Sequence, residues 1–205
     1  MPNRFDRHED PRRAFLLKAL AAGVFAASGL PAAHAQLLGR RPARLPQDQS
    51  FYEVSGEVRV NGRAATLQTR VMAGDRVETG PASQAIFVIG DDAYLLRSRS
   101  RFESSGSGLV ADTLRVVTGA LLSVFGRRPK RMNLHTAALG IRGTGLYVET
   151  DAEQDYVCTC YGEVSIAAAD DPSVSERVAT RHHDAPRYVL RSAGQRIRPA
   201  PFINH

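Results

Sequence analysis

The residues whose types and spacing could do chemistry are two cysteines one residue apart, Cys158 and Cys160. In a β-strand, residues at this spacing point to the same face, with Cα atoms roughly 6.5–7 Å apart. That distance is at or beyond the limit for a disulfide, so a bond between them would be strained and easily reduced. Three states stay open: two buried thiols, a strained disulfide, or a metal or redox site. Tyr156 would share their face, whereas Val157 and Tyr161 would point to the opposite one.

Two histidines further along the chain could extend this pair into a metal site. With Asp184 beside them, His182 and His183 offer imidazole and carboxylate ligands, and Cys158 and Cys160 offer thiolates. Such a tetrahedral nitrogen and sulfur set suits zinc or copper. The segment would have to fold back onto the strand, and a solvated polar loop is the simpler interpretation. We therefore expect no cofactor and keep zinc or copper as the alternative.

Paired carboxylates occur twice, at Asp91-Asp92 and at Asp170-Asp171. Both pairs lie in turn-forming contexts, where Asp caps and bends the backbone. The chain has no Gly-x-Ser-x-Gly elbow and no His-Glu-x-x-His motif. These motifs place a nucleophile or a catalytic zinc in known hydrolases. The sequence therefore favours a protein that is not an enzyme.

The segment Gly140–Gly145 invites comparison with a phosphate-binding loop. Its glycines are in the wrong order for Gly-x-Gly-x-x-Gly, and a strand-like segment follows instead of a helix. Without a helix N-terminus there is no dipole to hold a phosphate. His135, just before this segment, is expected to lie in the core or to bond the backbone.

The composition indicates one globular domain with a modest positive charge. The 205 residues carry 27 Lys or Arg and 21 Asp or Glu, a formal net charge of +6. This weak excess gives little support to nucleic-acid binding. The dense basic run Arg127–Arg131 is interpreted as a solvated loop.

The mature part of the chain has the pattern of an all-β domain. Short apolar or alternating segments are separated by turn residues about every 6–12 positions. Asn61-Gly62 is a hairpin turn signal. Leu114–Gly119 and Ala120–Phe125 are predicted as two separate strands. No segment keeps the i, i+3, i+4, i+7 apolar spacing of a helix, so a large helix is not expected.

The N-terminus resembles a cleaved export signal. Ala19–Leu30 is a short apolar stretch that would span about 18 Å as a helix, less than the roughly 30 Å of a bilayer core. Small residues at Ala33 and Ala35 form a cleavage site. The mature protein is therefore expected to begin near Gln36 and to keep no stable membrane anchor.

The paired arginines Arg12 and Arg13 are typical of the twin-arginine export pathway. A general secretory signal with arginines at these positions by chance is the alternative. Either route predicts a soluble periplasmic protein.

Four segments are predicted from these patterns. Residues 167–185 are interpreted as a polar loop, and Arg187–Leu190 as an additional strand. The segments are a signal peptide at 1–35, a linker or arm at 36–50, a β domain at 51–170, and a C-terminal loop and tail at 171–205.

Several motifs in order resemble the FecR domain, the extracytoplasmic part of iron-responsive anti-sigma regulators. The similarity covers roughly residues 56–166 and is strongest in an Arg-Gly-Thr box. The matching segments are Gly56-x-Val58-x-Val60, Gly74-Asp75-x-Val77-x-Thr79-Gly80, Leu114 to Leu122 around Gly119, His135 to Thr144, Leu146-Tyr147-Val148 and Gly162-Glu163-Val164.

This resemblance implies a fold of short strands in a solenoid-like or sandwich arrangement. Ala137 departs from the family pattern, in which Pro is usual. The helical anti-sigma region and membrane span of full regulators are replaced here by the signal peptide, so sigma-factor control is not implied. Structural roles are expected for the motif residues Gly74, Asp75, Gly80, Gly119, Arg142, Gly143, Thr144 and Gly162. Gly143 would allow a positive φ, and Thr144 would satisfy a backbone group.

Together these patterns predict a periplasmic binding module for envelope signalling or sensing. Its partner would be another periplasmic or outer-membrane protein rather than nucleic acid, with strand addition as one mode of contact. The alternative is a metal-binding or thiol-redox protein that uses Cys158 and Cys160.

Overall fold

The computed structural model describes residues 45, 46, 48–181, 183, 185–192 and 194–202. This part of the chain contains fifteen strands and no helix, which confirms the all-β expectation, and within it no helix could cross a membrane. The strands are β1 Phe51–Ser55, β2 Val58–Val60, β3 Arg63–Ala64, β4 Arg76–Thr79, β5 Gln84–Ile89, β6 Asp92–Leu96, β7 Arg101–Ser107, β8 Val110–Val124, β9 Lys130–Asn133, β10 Ala137–Ile141, β11 Gly145–Thr150, β12 Gln154–Ala168, β13 Ser175–Thr180, β14 Arg187–Leu190 and β15 Ile197–Pro199.

The strands form two facing sheets that share β8 and β12. The front sheet has the order β1-β5-β6-β8-β11-β12-β14-β15, and the back sheet has the order β3-β2-β4-β7-β8-β9-β10-β12-β13. Described neighbours are antiparallel, apart from the parallel pair β8–β9. The result is a sandwich closed like a flattened barrel.

Glycines mark the points at which the two long strands pass from one sheet to the other. In β8, Thr118 pairs with β7 of the back sheet, whereas Gly119 pairs with β11 of the front sheet. Gly119 has a φ of 85°, and a Cβ there would lie 2.1 Å from Ser100 Oγ. A side chain would therefore meet both a backbone and a steric penalty. The two strands predicted around this glycine are one bent strand.

The main core fills the space between the sheets. Phe87 and Tyr94 of the front sheet stack with ring centroids 5.1 Å apart. Phe102 of the back sheet lies 5.0 Å from Tyr94, so the aromatic rings join the two layers. Alternate residues of both sheets complete this core, as expected for sandwich packing.

A buried carboxylate ties the β9–β10 turn to the front sheet. Asp155 Oδ2 accepts hydrogen bonds from the amides of Thr136 and Ala137 at 2.6 and 2.8 Å. The Thr136 hydroxyl lies 2.7 Å from Asp155 Oδ2 and 2.7 Å from the Val189 carbonyl oxygen. Thr150 Oγ1 donates to Asp155 Oδ1 at 2.5 Å. Burial raises the pKa of Asp155, and these donors offset part of that rise.

The prediction of a solvated basic loop is wrong for Lys130. Arg127 and Arg128 are exposed, but the Lys130 side chain is only 3% exposed. Its ammonium lies 2.7 Å from Asp92 Oδ2 and donates to the Ala111 carbonyl at 2.7 Å. Asp92 therefore serves as a buried counter-ion as well as a turn residue, because a buried ammonium needs a charged partner.

The interpretation of 167–185 as a loop is wrong for Ser175–Thr180, which form β13. Val178 packs in the main core, as do Val189 of β14 and Ile197 of β15. Glu176 at the edge of the back sheet pairs with Arg187 of the front sheet, with an Arg Nη2 to Glu Oε1 distance of 2.7 Å. The C-terminal strands therefore belong to the same sandwich.

Candidate functional site

The front sheet is apolar on both of its faces. Its inner face joins the main core, and its outer face carries a second apolar cluster, here called the outer apolar face. The buried members are Ile86, Ala93, Leu95, Leu122, Val124, Tyr147, Tyr156, Cys158 and Cys160, and partly buried residues packed against them are Tyr52, Val88, Ala120, Tyr161, Tyr188 and Ala200. Outer faces of sandwiches usually alternate to polar residues, so this face requires an explanation.

Strand register aligns five of these side chains in one row. Ile86 pairs with Leu95, Leu95 with Leu122, Leu122 with Tyr147 and Tyr147 with Cys158. Directly opposed residues on neighbouring strands point to the same face. The row therefore crosses β5, β6, β8, β11 and β12 without a charged residue.

The outer side of the back sheet is different in chemistry. Glu103 accepts a hydrogen bond from Arg101 Nη2 at 2.9 Å, and Arg115 on the next strand is exposed. A groove of about 870 Å³ on this side is lined mostly by polar or charged residues, among them Arg131, Arg142 and Glu163. This is the ordinary solvated face of a sandwich, and it provides control positions for the apolar one.

Tyrosines border the outer apolar face on the β12–β14 side. Tyr156 contacts Tyr147 and Tyr188 edge to face, with centroid distances of 6.2 and 5.7 Å. Burial and the nearby Glu149 carboxylate raise the pKa of Tyr147, whose hydroxyl donates to Glu149. Arg198 lies 5.8 Å from the Tyr188 ring centroid. Tyr and Arg are enriched in protein interfaces because they combine a large contact area with hydrogen bonding.

Cavities flank the face at two places. One of about 320 Å³ is lined by Arg97, Tyr156, Tyr188 and neighbouring polar residues. The other, of about 500 Å³, lies against Tyr52 and Val88, and Leu45 and Pro46 line it.

The structure places the cysteine pair within this face. Both residues are thiols, on the same side of β12 as predicted from their spacing. Cys158 Sγ lies 3.4 Å from His183 Nδ1, and the His183 amide donates to the Cys160 carbonyl at 3.3 Å. The segment at 183 therefore does fold back onto the strand. His182 lies outside the described residues, among which no group of three or more metal-ligating side chains occurs.

Tyr161 was expected on the opposite face from the cysteines, and this is wrong. The β11–β12 register shifts, so that Gly145 pairs with Tyr161 but Leu146 pairs with Thr159. The resulting bulge turns the Tyr161 ring toward the outer apolar face. A Cβ at Gly145 would lie 2.4 Å from this ring, so the missing side chain makes room for it.

None of the motif residues belongs to the outer apolar face, and apart from Gly119 in β8 and Gly162 in β12 they lie in turns or at strand ends. Asp75 accepts hydrogen bonds from Asn61 Nδ2 and the Met72 amide, both at 2.7 Å. Thr144 Oγ1 donates to the Glu163 carbonyl at 2.8 Å, and Arg142 is exposed. Gly74 and Gly143 have positive φ in turns. Gly80 follows the end of β4, and Gly162 bends β12. The leader residues Arg12, Arg13, Ala33 and Ala35 lie outside the described part of the chain.

The sequence reasoning did not identify the outer apolar face. The available signal was the continuous apolar runs Ala85–Ile89 and Ala93–Leu96 and the mainly apolar run Ala120–Phe125, which lack the alternation of a half-solvated strand. Such runs indicate strands buried on both faces.

No protein-family model and no curated protein matches the chain. Crystal structures at 1.65 and 2.50 Å resolution of a putative anti-sigma factor from Parabacteroides distasonis are similar in fold, with TM-scores of 0.51 and 0.50. In both cases the identity is 14%, over 61% of this chain and 58% of the other. The match therefore spans less than two thirds of those proteins, and what this chain shares with the anti-sigma factor structures is the architecture of its β domain.

Proposed function

We propose that this chain is an exported FecR-like β domain that binds another protein of the bacterial envelope. The observation that carries the proposal is the outer apolar face, where six adjacent strands present apolar or aromatic side chains. An apolar outer face supports a site of protein contact, because the outer face of a sandwich usually carries polar residues. The similarity in fold to a protein described as an anti-sigma factor supports a signalling role.

Export supplies the location of this contact. The Arg12-Arg13 pair, the apolar stretch and the Ala33-His34-Ala35 cleavage site support delivery to the periplasm. The partner is accordingly an envelope protein that contributes an apolar segment to the outer apolar face. The six-residue edge strand β13 offers strand addition as a second route of contact.

Site-specific photo-crosslinking in intact cells tests this proposal. A benzoylphenylalanine replaces Leu122 on the outer apolar face, Arg177 on the edge strand β13, or Arg115 on the outer side of the back sheet as the matched control. The proposal expects crosslinks to an exported protein from position 122 alone. Crosslinks from 177 on β13 alone would place the contact at the edge strand, and equal labelling from all three positions would contradict the proposal.

Export is tested separately on the full chain. Replacement of Arg12 and Arg13 by Lys should retain the protein in the cytoplasm, whereas the unaltered chain should appear in the periplasm with Gln36 as its first residue. A periplasmic twin-lysine variant would contradict use of the twin-arginine pathway, and mass spectrometry of the N-terminus would locate the cleavage point.

A thiol and imidazole site is the second candidate function. The specific observation is the 3.4 Å approach of Cys158 Sγ to His183 Nδ1 on the strand that also carries Cys160. Sulfur and nitrogen ligands favour copper(I) or zinc. Metal titration of the mature protein, with Cys158→Ser and the exposed Ser105→Ala as control, tests this function. Unchanged binding in Cys158→Ser would contradict it.

A further inference from the structure

A row of polar and aromatic side chains borders the outer apolar face next to the β6–β7 and β11–β12 turns. The Arg97 amide donates to the Ala120 carbonyl at 3.0 Å, and Ala120 pairs with Glu149. Glu149 pairs with Tyr156, and Tyr156 pairs with Tyr188. Directly opposed residues on neighbouring strands point to the same face, so these five side chains lie side by side.

The small side chain of Ala120 leaves a depression in this row. The cavity of about 320 Å³ lies there, between Arg97 and Glu149. These two residues are two strand spacings apart, about 10 Å between Cα atoms. They form no ion pair with each other or with any other described residue. The cavity is at the small end of the range for ligand pockets, about 300–1,000 Å³, which suits a ligand of one or two rings.

The polar groups at the cavity include both hydrogen-bond donors and acceptors. The side chains of Arg97 and Gln154 are half-buried, and within the described residues neither has a hydrogen-bond partner. Asp151 Oδ1 accepts from the Glu153 and Gln154 amides at 2.8 and 2.9 Å, and no described donor bonds Oδ2. Groups removed from water normally have hydrogen-bond partners. These groups therefore favour a ligand that can both donate and accept.

Two tyrosine rings form the wall of the cavity on the β12–β14 side. Tyr156 is 3% exposed, and its ring meets that of Tyr188 at a centroid distance of 5.7 Å. The face of an aromatic ring is electronegative. It attracts the C–H groups of a sugar ring, because the oxygen atoms of the sugar make those groups electropositive. A sugar therefore matches the wall as well as the polar groups.

An amino acid is the rival ligand, because Arg97 and Glu149 carry opposite charges. The ammonium and carboxylate groups of an amino acid are attached to one carbon atom, whereas Arg97 and Glu149 lie about 10 Å apart on the sheet. The hydroxyl groups of a sugar lie on opposite edges of its ring, and each can donate and accept. The separation of the two side chains therefore favours the sugar.

We propose that this cavity binds one sugar ring. Glu149 and Asp151 accept hydrogen bonds from its hydroxyl groups, and Arg97 and Gln154 donate to its oxygen atoms. The ring comes from a free saccharide or from an envelope glycan, and the second source rests on the export in the proposed function. His183, Ala200 and Phe202 lie near the cysteine end of the outer apolar face and do not line this cavity.

Saturation-transfer NMR on the full chain tests the proposal. The ligands are glucose, N-acetylglucosamine and their β-linked disaccharides cellobiose and chitobiose, with glutamate as the zwitterionic rival. We expect saturation transfer from the protein to the ring protons of at least one sugar. Tighter binding of a disaccharide than of its monosaccharide would identify a glycan chain as the source, and equal binding would identify a free saccharide.

Two substitutions locate the site. Ala120→Leu fills the depression and should weaken sugar binding more than about tenfold. Gln154→Ala removes one hydrogen-bonding side chain and should weaken it about three- to tenfold. The matched controls are Ala179→Leu on β13 and Gln68→Ala, at exposed positions that do not line the cavity, and both should bind like the unaltered chain.

Three results would overturn the inference. They are no transfer to any of the four sugars, transfer to glutamate without transfer to a sugar, and equal binding by each variant and its control. Circular dichroism checks that the variants are folded, and if Ala120→Leu is not, Gln154→Ala against Gln68→Ala decides. Crosslinking from position 122 tests the protein partner separately, so either proposal can fail while the other holds.

Discussion

Asp155 and Thr136 are joined through both the amide and the hydroxyl of Thr136, at 2.6 and 2.7 Å from one carboxylate oxygen. Thr136 lies in the segment His135 to Thr144, which resembles the FecR family, and its role in this structure is to bond a buried carboxylate. The carboxylate holds the β9–β10 turn of the back sheet against β12 in the front sheet. The hydrogen bonds of this turn therefore support the sandwich beneath the outer apolar face.

Replacing Asp155 tests this tie. Asp155→Ala should lower the free energy of unfolding by about 3–5 kcal/mol, because it leaves several buried donors without an acceptor. Asp155→Asn retains one oxygen for the Thr136 and Ala137 donors and should cost less than half as much. Urea denaturation followed by circular dichroism measures both values, and equal losses would show that the hydrogen bonds contribute little.

Acid titration should reveal the raised pKa of Asp155. Burial raises this pKa from its ordinary value of 3.8, so the folded state holds the proton more tightly than the unfolded state. The stability contributed by this group is present below pH 3.8 and is lost as the pH rises through the folded-state pKa. The free energy of unfolding should therefore fall with rising pH over that window. In Asp155→Asn the free energy of unfolding should fall less over the same window, because the titrating carboxyl group is gone.

Denaturation at a series of pH values from 4 to 7 measures this difference. Burial also raises the pKa of Asp92, and Arg196 lowers that of the exposed Asp170, but both groups are the same in the two proteins. Parallel profiles for the unaltered chain and Asp155→Asn would contradict the prediction.

The bend of β8 should tolerate no side chain. Gly119→Ala is expected to cost about 3 kcal/mol or more, because the new Cβ would meet Ser100 Oγ at 2.1 Å and its Cα at 2.7 Å in a left-handed backbone conformation. Gly108→Ala is the control, since Gly108 also has a positive φ but nothing within 4 Å. Its cost should be about 1 kcal/mol. Similar midpoints in thermal denaturation of the two variants would argue against a steric requirement at 119.

Because Lys130 belongs to a buried ion pair, its replacement should lower the free energy of unfolding far more than replacement of the adjacent Arg131. Lys130→Met should destabilise the protein by about 3–5 kcal/mol, because the Asp92 carboxylate would remain buried without its cation. Arg131→Met, on the exposed side of the same strand, should change stability by less than about 0.5 kcal/mol. Adding Asp92→Asn to Lys130→Met should recover part of the loss. An equal effect of the two single substitutions in urea denaturation would show that the pair is energetically unimportant.

The local signals in the sequence predicted the β class and several turns. Asn61 and Gly62 both have positive φ between β2 and β3, as a tight hairpin requires. Gly119 marked a strand boundary in the sequence because glycine interrupts the apolar pattern. The pattern carries no information on whether the chain ends its strand there or bends into a second sheet, which depends on contacts with Ser100 and β11.

Features that depend on distant partners escaped the sequence reasoning for a different reason. Lys130 was assigned to a solvated loop because its partner Asp92 lies 38 positions earlier, and no residue near Lys130 in the sequence indicates this pairing. The bulge that turns Tyr161 toward the cysteines arises from pairing with Gly145. The outer apolar face was encoded in continuous apolar runs, but only sheet order shows that these runs lie side by side.

The strands β8 and β12 each run through both sheets, and this limits how the domain can be divided. Neither sheet can be removed, duplicated or exchanged on its own, because each such change would cut β8 or β12, which also form part of the opposite sheet. Insertions should consequently be tolerated best at hairpin tips, and the whole domain should unfold in one cooperative step.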